Sequence, residues 1–358
     1  VADRIPLFKV FMAQYAALQV ERTLDSGYTG QGPRVEEFEE RVRRFEGLKR
    51  APLATMTGTH ALDLAYHLAG IGPGDKVIST PMTCTATNIP LLHRGAKIIW
   101  ADVDRVTGLI SYEHVKHLYQ NGHGDAKAII AVDWAGRVCD YLKLRSIGPA
   151  VIQDGAHSFN SKAKHSGHYR MWSFGAIKHL NCGGDGGALE VMESDQDRAR
   201  LLRWYGLDRS QNTAFRCEQD IVEPGYKYGM NDVAATIGLA NIRYANWIVK
   251  KTRQNASYFH AQLQDIETIR MAPFDAGCSY WFFPLLVTRR IDFVEHLDAA
   301  GIDASEVHSR NDFKHVFPSG KELFGLEEFS LRQVNIPCGW WLNSIDCQRI
   351  IEAVRSFK

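Results

Sequence analysis

The sequence predicts a layered α/β protein with a mainly parallel sheet, followed by a smaller α+β unit. Helical and strand signals alternate through the first half of the chain, the pattern of strands joined by crossover helices. Several apolar runs have strand length without polar alternation, as in strands covered on both faces. At 358 residues the chain is longer than one hydrophobic core usually fills, so a large unit plus a small one is expected.

Gly32-Pro33 opens a helix whose apolar residues Val35, Phe38, Val42 and Phe45 recur at three- and four-residue steps. A second helix follows Thr57-Gly58-Thr59 and carries Leu62, Ala65 and Leu68 on one face. Gly72-Pro73-Gly74-Asp75 reads as a turn into a short strand, Lys76 to Ser79. Lys97 to Val103, Ala128 to Val132 and Ala150 to Gln153 are further strand-length runs. A long helix starts near Met230 and runs past Tyr258, with Ala234, Ile237, Ala240 and Ile242 as its early apolar stripe. Beyond it Tyr280 to Val287 reads as a strand, Asp292 to Ala300 as a helix and Ile345 to Phe357 as a terminal helix. The division expected is residues 1–245 for the large unit and 246–358 for the small one.

Composition excludes several function classes. Forty-two Lys and Arg against forty-one Asp and Glu leave a net charge of +1, so no global field draws the chain to nucleic acid or a lipid surface. The longest apolar stretches fall far short of the ~20 residues a membrane-spanning helix needs. Asp3, Arg4 and Lys9 interrupt the N-terminal segment, which does not read as a signal peptide. The seven cysteines form no CxxC pair and no Cys/His cluster with zinc spacing, so no metal site is expected and a reducing, cytoplasmic location is.

Three stretches carry chemistry. In Trp172 to Gly187, Lys178 sits between apolar residues and a glycine-rich turn. A desolvated lysine loses basicity and becomes competent for Schiff-base chemistry, although a loop lysine beside glycines is also an ordinary surface group. Val151-Ile152-Gln153-Asp154 is an apolar strand ending in a carboxylate, at the edge where open α/β sheets bind ligands. That carboxylate suits a pyridinium nitrogen and equally a helix N-cap. Thr57-Gly58-Thr59-His60 precedes a helix, so its N–H groups could cradle a phosphate or simply make a cap. No GxSxG elbow, Walker motif or GxGxxG after a first strand is present.

The three stretches in this order, with Ser173 five residues before Lys178, resemble the sugar aminotransferases of the DegT/StrS type, a branch of the fold type I pyridoxal-phosphate enzymes. The resemblance extends from Ile5-Pro6-Leu7-Phe8 through Gly70 to Asp75 and Asp102-Val103-Asp104 to Gly301-Ile302 and Val307-His308. It implies a large α/β/α domain and a small C-terminal α+β domain. It matches Lys178 to the family's Schiff-base lysine, Asp154 to the pyridinium partner and His157 to the group beside the cofactor's phenolic oxygen. Gly58, Thr59, the backbone at His60 and Ser173 match the phosphate cup. Lys227, in Gly225-Tyr226-Lys227-Tyr228, matches a loop that reaches into the neighbouring subunit's site, so a homodimer with shared active sites is implied. Cys84 stands where the family usually places an aromatic over the pyridine ring, and the family often has His where Asp133 stands. Arg209, His308 and Arg310 are candidate substrate contacts.

The resemblance further implies pyridoxal 5'-phosphate, cycling with its pyridoxamine 5'-phosphate form. Glutamate is the expected amino donor and a keto group of a nucleotide-linked deoxysugar the acceptor, in a ping-pong reaction. Related sugar 3-dehydratases carry His in place of the lysine. Here Lys178 is present and His179 merely follows it. A cyclitol or other ketone acceptor, a sugar dehydration, and a non-enzymatic regulatory relative remain the alternatives.

Overall fold

The computed structural model describes residues 4–162, 165–210, 218–320 and 322–357. Cys217 lies outside them. The described residues form ten strands: β1 Leu53–Thr55, β2 Lys76–Ser79, β3 Lys97–Trp100, β4 Ala128–Val132, β5 Ala150–Asp154, β6 Tyr169–Ser173, β7 Gly187–Glu190, β8 Ile269–Arg270, β9 Phe283–Val287 and β10 Gln333–Ile336. The helices are α1 Ala16–Asp25, α2 Pro33–Glu46, α3 Gly58–Leu68, α4 Thr85–His93, α5 Tyr112–Gln120, α6 Tyr141–Arg145, α7 Gln196–Leu202, α8 Asp232–Leu263, α9 Arg290–Ala299, α10 Phe324–Arg332 and α11 Ser344–Ser356. Among the described residues no helix is long and apolar enough to cross a membrane.

Seven strands form one sheet in the order β1-β7-β6-β5-β4-β2-β3. From β3 to β6 every pairing is parallel, and β7 runs antiparallel between β6 and β1. Alternate residues explain the unbroken apolar runs. Ile130, Ile152, Met171 and Leu189 pack with α3 on one face. On the other, Ile129, Ala131 and Val151 pack with α5 and α6, while Ala54, Trp172 and Ala188 pack with α2 and α8. A second sheet, β10-β9-β8, is antiparallel and packs with α8, α9 and α11 around Phe259, Leu285, Phe293, Val334 and Ile350.

Local chemistry sets the helix ends. Pro33 occupies the first turn of α2, and Gly47 ends it in the left-handed region at φ 68. Thr57 caps α3, its Oγ1 accepting from His60 N–H at 3.0 Å. α11 starts with a reciprocal Asn343–Asp346 capping box. α8 runs through residue 245, where the sequence reading divides the chain, without a break. Its first half packs on α1 and α2, and Ala256, Phe259 and Leu263 in its second half join the C-terminal core.

Two strands are shorter than their apolar runs. The run from Lys97 leaves the sheet at Trp100, because both oxygens of the Asp102 carboxylate turn back to cap α10 at Gly325 and Leu326 N–H. The run from Tyr280 enters the sheet only at Phe283. Tyr280 has φ 49, and Trp281 N–H donates to Ala135 O instead of to a strand, at 3.0 Å.

Candidate active site

The parallel strands end on one edge, and the segments that follow them enclose a cleft of about 150 Å³. Asp154 closes β5 and Ser173 closes β6, so the sheet itself brings these two side chains to the cleft. Cys84, the residue before α4, stands half-buried in its wall. The start of α3 supplies Thr57, Gly58 and Thr59, and the turn after β6 supplies Lys178. His157, Asp185, Thr83, Thr87 and, from the C-terminal unit, His308 also line it.

The helix start is pressed against the sheet. A Cβ on Gly58 would stand 3.0 Å from Ser173 Cβ, and one on Gly187 would stand 2.5 Å from Thr57 O. At Gly187 only glycine permits this approach to backbone. First-turn N–H groups have no acceptor within their own helix. Thr57 meets that of His60, while Gly58 and Thr59 stand at the cleft wall beside Ser173. The result suits an anion.

Lys178 is held by its backbone N–H to Gly175 O at 3.0 Å, and its Nζ lies 3.3 Å from the ring centroid of Trp281. Burial pushes the amine down to about 7, against the opposing pull of Asp154 and Cys84. A large neutral fraction at ordinary pH makes it a nucleophile and a proton carrier. Burial also raises the Asp154 carboxyl, countered by Thr87, the Ala156 N–H and Lys178.

Two imidazoles face this lysine. His157 is held well below the usual histidine range by burial, then by Lys178, and His308 is pushed to about 4 by the same causes. Their rings stack at 5.6 Å and 12°. His157 Nδ1 and His308 Nε2 are buried and have no partner among the described residues. Unmet polar atoms in a buried wall are costly. In a cleft they are what a polar ligand would satisfy.

Eight residues singled out from sequence therefore meet here: Gly58, Thr59, Cys84, Asp154, His157, Ser173, Lys178 and His308. The other four lie outside the cleft lining. The His60 ring stacks on Tyr228 at 4.3 Å. Lys227 is exposed, its Nζ 5.4 Å over the Trp204 ring. Arg209 lies over the same ring at 4.1 Å and donates to Gln31 O. Arg310 is buried and forks onto Asp312 at 2.7 and 2.5 Å.

Sequence reasoning missed Trp281, Thr83 and Thr87. Trp281 belongs to an apolar run read as strand, and nothing local ties it to a lysine in another unit. Its Nε1 donates to Ile177 O at 2.9 Å, which fixes the ring under Lys178. The threonines flank Cys84 closely enough to be noticed, yet Asp154, the partner of Thr87, is remote in sequence.

Comparisons with known proteins agree with this geometry. The model of the DegT/DnrJ/EryC1/StrS aminotransferase family matches residues 12–355. AtS13 from Actinomadura melliaura is 34% identical, with all of both chains covered and a TM-score of 0.92. The sugar aminotransferase CalS13 from Micromonospora echinospora is 31% identical over 99% of this chain and 100% of that one, also at 0.92. The spore coat polysaccharide biosynthesis protein SpsC of Bacillus subtilis is 28% identical over 94% of this chain and 92% of its own. The expected architecture, a large mainly parallel α/β unit with a small α+β unit, is that of the type I aminotransferase fold. A family match over nearly the whole chain, on a fold that places a desolvated lysine in its cleft, leaves one conclusion: the chain belongs to the DegT/DnrJ/EryC1/StrS aminotransferase family.

Proposed function

We propose that this chain is a pyridoxal-phosphate-dependent sugar aminotransferase that takes its amino group from glutamate and delivers it to a keto group of a nucleotide-linked deoxysugar. One observation carries the reading: a desolvated lysine amine, a buried carboxylate and a helix N-terminus share one cleft. The likeness to CalS13, named a sugar aminotransferase, and to SpsC, named for polysaccharide biosynthesis, supports the sugar acceptor.

The residues fit the cofactor. Gly58 and Thr59 N–H with Ser173 Oγ would hold its phosphate, and Asp154 would pair with its ring nitrogen. The unpartnered His157 Nδ1 offers a group for its phenolic oxygen. Once bound, the cofactor supplies an electron-poor ring that takes up the charge left when the donor loses its α-proton. Lys178 would hold the cofactor through Nζ and, when free, would carry the proton from the donor's α-carbon. Asp154 would keep the ring nitrogen protonated. His157 and His308, both neutral, add no charge beside the lysine.

The active unit is a homodimer in this reading. Among the described residues Lys178 is the only Lys or Arg in the cleft lining, while glutamate and a nucleotide-sugar bring several negative charges. Lys227 and Arg209, gathered outside on Trp204, are placed to serve a neighbouring subunit's site. An apolar groove on α1, with Met12, Val20, Leu24 and Ile237, offers a surface for that neighbour. The two units divide within α8, as residues 1–245 and 246–358. Six unpaired cysteines among the described residues suit the cytoplasm.

Purified chain mixed with pyridoxal phosphate should turn yellow. Glutamate should bleach that band and yield 2-oxoglutarate, and the aminated form should then regain colour with a nucleotide-ketosugar. A spectrum unmoved by every amino donor would contradict transamination.

A further inference from the structure

Asp154 is anchored by residues other than those that carry the family resemblance in the sequence. Its Oδ2 accepts from the Thr87 hydroxyl at 2.7 Å and its Oδ1 from Ala156 N–H at 3.0 Å. Thr87 Oγ1 in turn lies 2.7 Å from Thr83 Oγ1, and both threonines are fully buried. A hydroxyl has one hydrogen to give, and an ionised carboxylate can only accept. Thr87 therefore spends its hydrogen on Asp154, and the Thr83 hydroxyl donates to Thr87. The direction Thr83 to Thr87 to Asp154 follows from the charge on the carboxylate.

The relay is fixed from two sides. Tyr66 on α3 donates its hydroxyl to Thr87 O at 2.7 Å. Asn311 from the C-terminal unit donates to Thr83 O at 2.8 Å and accepts from Asn88 Nδ2 at 2.9 Å. Asn88 also donates to Thr80 O and accepts from Ser79 Oγ. Neither threonine can swing away without leaving a buried polar atom unmet.

We infer that Thr87, oriented by Thr83, is a positioning residue that keeps Asp154 ionised and aimed at the cofactor's ring nitrogen. The inference rests on the pyridoxal-phosphate reading above. A hydrogen bond to a charged acceptor is stronger than one between neutral groups. Losing the Thr87 donor makes the carboxylate a stronger base, so the proton it shares with the ring nitrogen moves toward the carboxylate. The ring then withdraws electrons less well. The hydroxyl thus acts on the cofactor through Asp154.

The test uses the holoenzyme with cofactor labelled by nitrogen-15 in the ring. Thr87→Val keeps the side-chain shape and removes the donor, while Thr87→Ser restores it. Thr87→Val should weaken cofactor binding roughly tenfold and move the ring-nitrogen resonance toward its unprotonated position. Thr87→Ser should return both toward wild type. Thr83→Val should shift the resonance the same way but less, since Thr87 still donates, and it carries the test if Thr87→Val does not fold. A resonance unmoved in both valine variants overturns the inference, even if affinity falls, because mere loss of packing would do that. A wild-type chain that takes up no pyridoxal phosphate overturns the cofactor reading and this inference together. Wild-type uptake with unmoved variants overturns the inference alone.

Discussion

Asp133 and Asp154 stand at the ends of adjacent parallel strands, and the Asp133 N–H donates to Asp154 O at 3.0 Å. Both are buried carboxylates, but their surroundings differ. Asp133 receives two donors on each oxygen: Tyr141 hydroxyl at 2.8 Å and Cys139 N–H at 3.1 Å on one, Gln153 Nε2 and Ser158 hydroxyl, both at 2.6 Å, on the other. Asp154 receives two donors in all and borders the cleft. The saturated carboxylate ties down Gln153 and Ser158, the chain neighbours of Asp154 and His157. The unsaturated one keeps capacity for a ligand. Burial alone does not mark a functional acid; burial with unspent hydrogen-bonding capacity beside a cavity does.

Exchanging each carboxylate for its amide tests this contrast most severely. Asp154→Asn should lower turnover on the order of 10²–10³-fold with little change in melting temperature. Asp133→Asn should cost about 1–3 kcal/mol of stability in urea titrations, while the folded fraction still binds cofactor. The reverse pattern would break the comparison.

The pH response separates the groups further. Burial pushes the Asp133 carboxyl up to about 6, above the ~3.9 of an unfolded chain. Between those values the native state keeps a proton that the unfolded state has lost. Stability should therefore fall as pH rises from about 4 through about 6, and Asp133→Asn should flatten that slope in urea midpoints. Lys178 acts in the opposite sense on a different observable. Its neutral amine is the nucleophile, so the rate of cofactor capture in stopped-flow absorbance should rise with pH through about 7 and then level off.

The smallest effect concerns the edge of the site. Lys227→Ala should weaken cofactor binding about fivefold, as loss of one point charge on a phosphate would. Mixed with Lys178→Ala chains, it should regain part of the lost activity. No recovery would place Lys227 outside a neighbour's cleft.

Much of this was legible before the fold. The helix from Pro33 and the strand Ala128–Val132 show in the sequence because amphipathic and doubly covered elements leave opposite, regular patterns. Asp154 shows because it ends an apolar strand, Gly58 and Thr59 because they open a helix, and Lys178 because it stands before a glycine-rich turn, whereas Cys84, His157, Ser173 and His308 come from the family resemblance. β6 was not legible: Arg170 interrupts its apolar run and is accommodated by Glu190 on the neighbouring strand at 2.9 Å, by Glu46 at 3.8 Å and by the Trp172 ring at 4.2 Å. Trp281 and Thr87 were hidden for a related reason. Their meaning lies in partners that only the assembled sheet brings near, Lys178 for one and Asp154 for the other. Arg310 looked like a substrate contact for lack of its partner Asp312, two residues on, whose fork only side-chain geometry reveals.

The central claim is that Lys178 holds the cofactor. Reduction of the pyridoxal-phosphate-loaded chain with borohydride, followed by digestion and mass mapping, tests it most directly. The account predicts one modified peptide, carrying the adduct on Lys178, and none from Lys178→Ala. An adduct on another lysine, or an undiminished yield from Lys178→Ala, would contradict it.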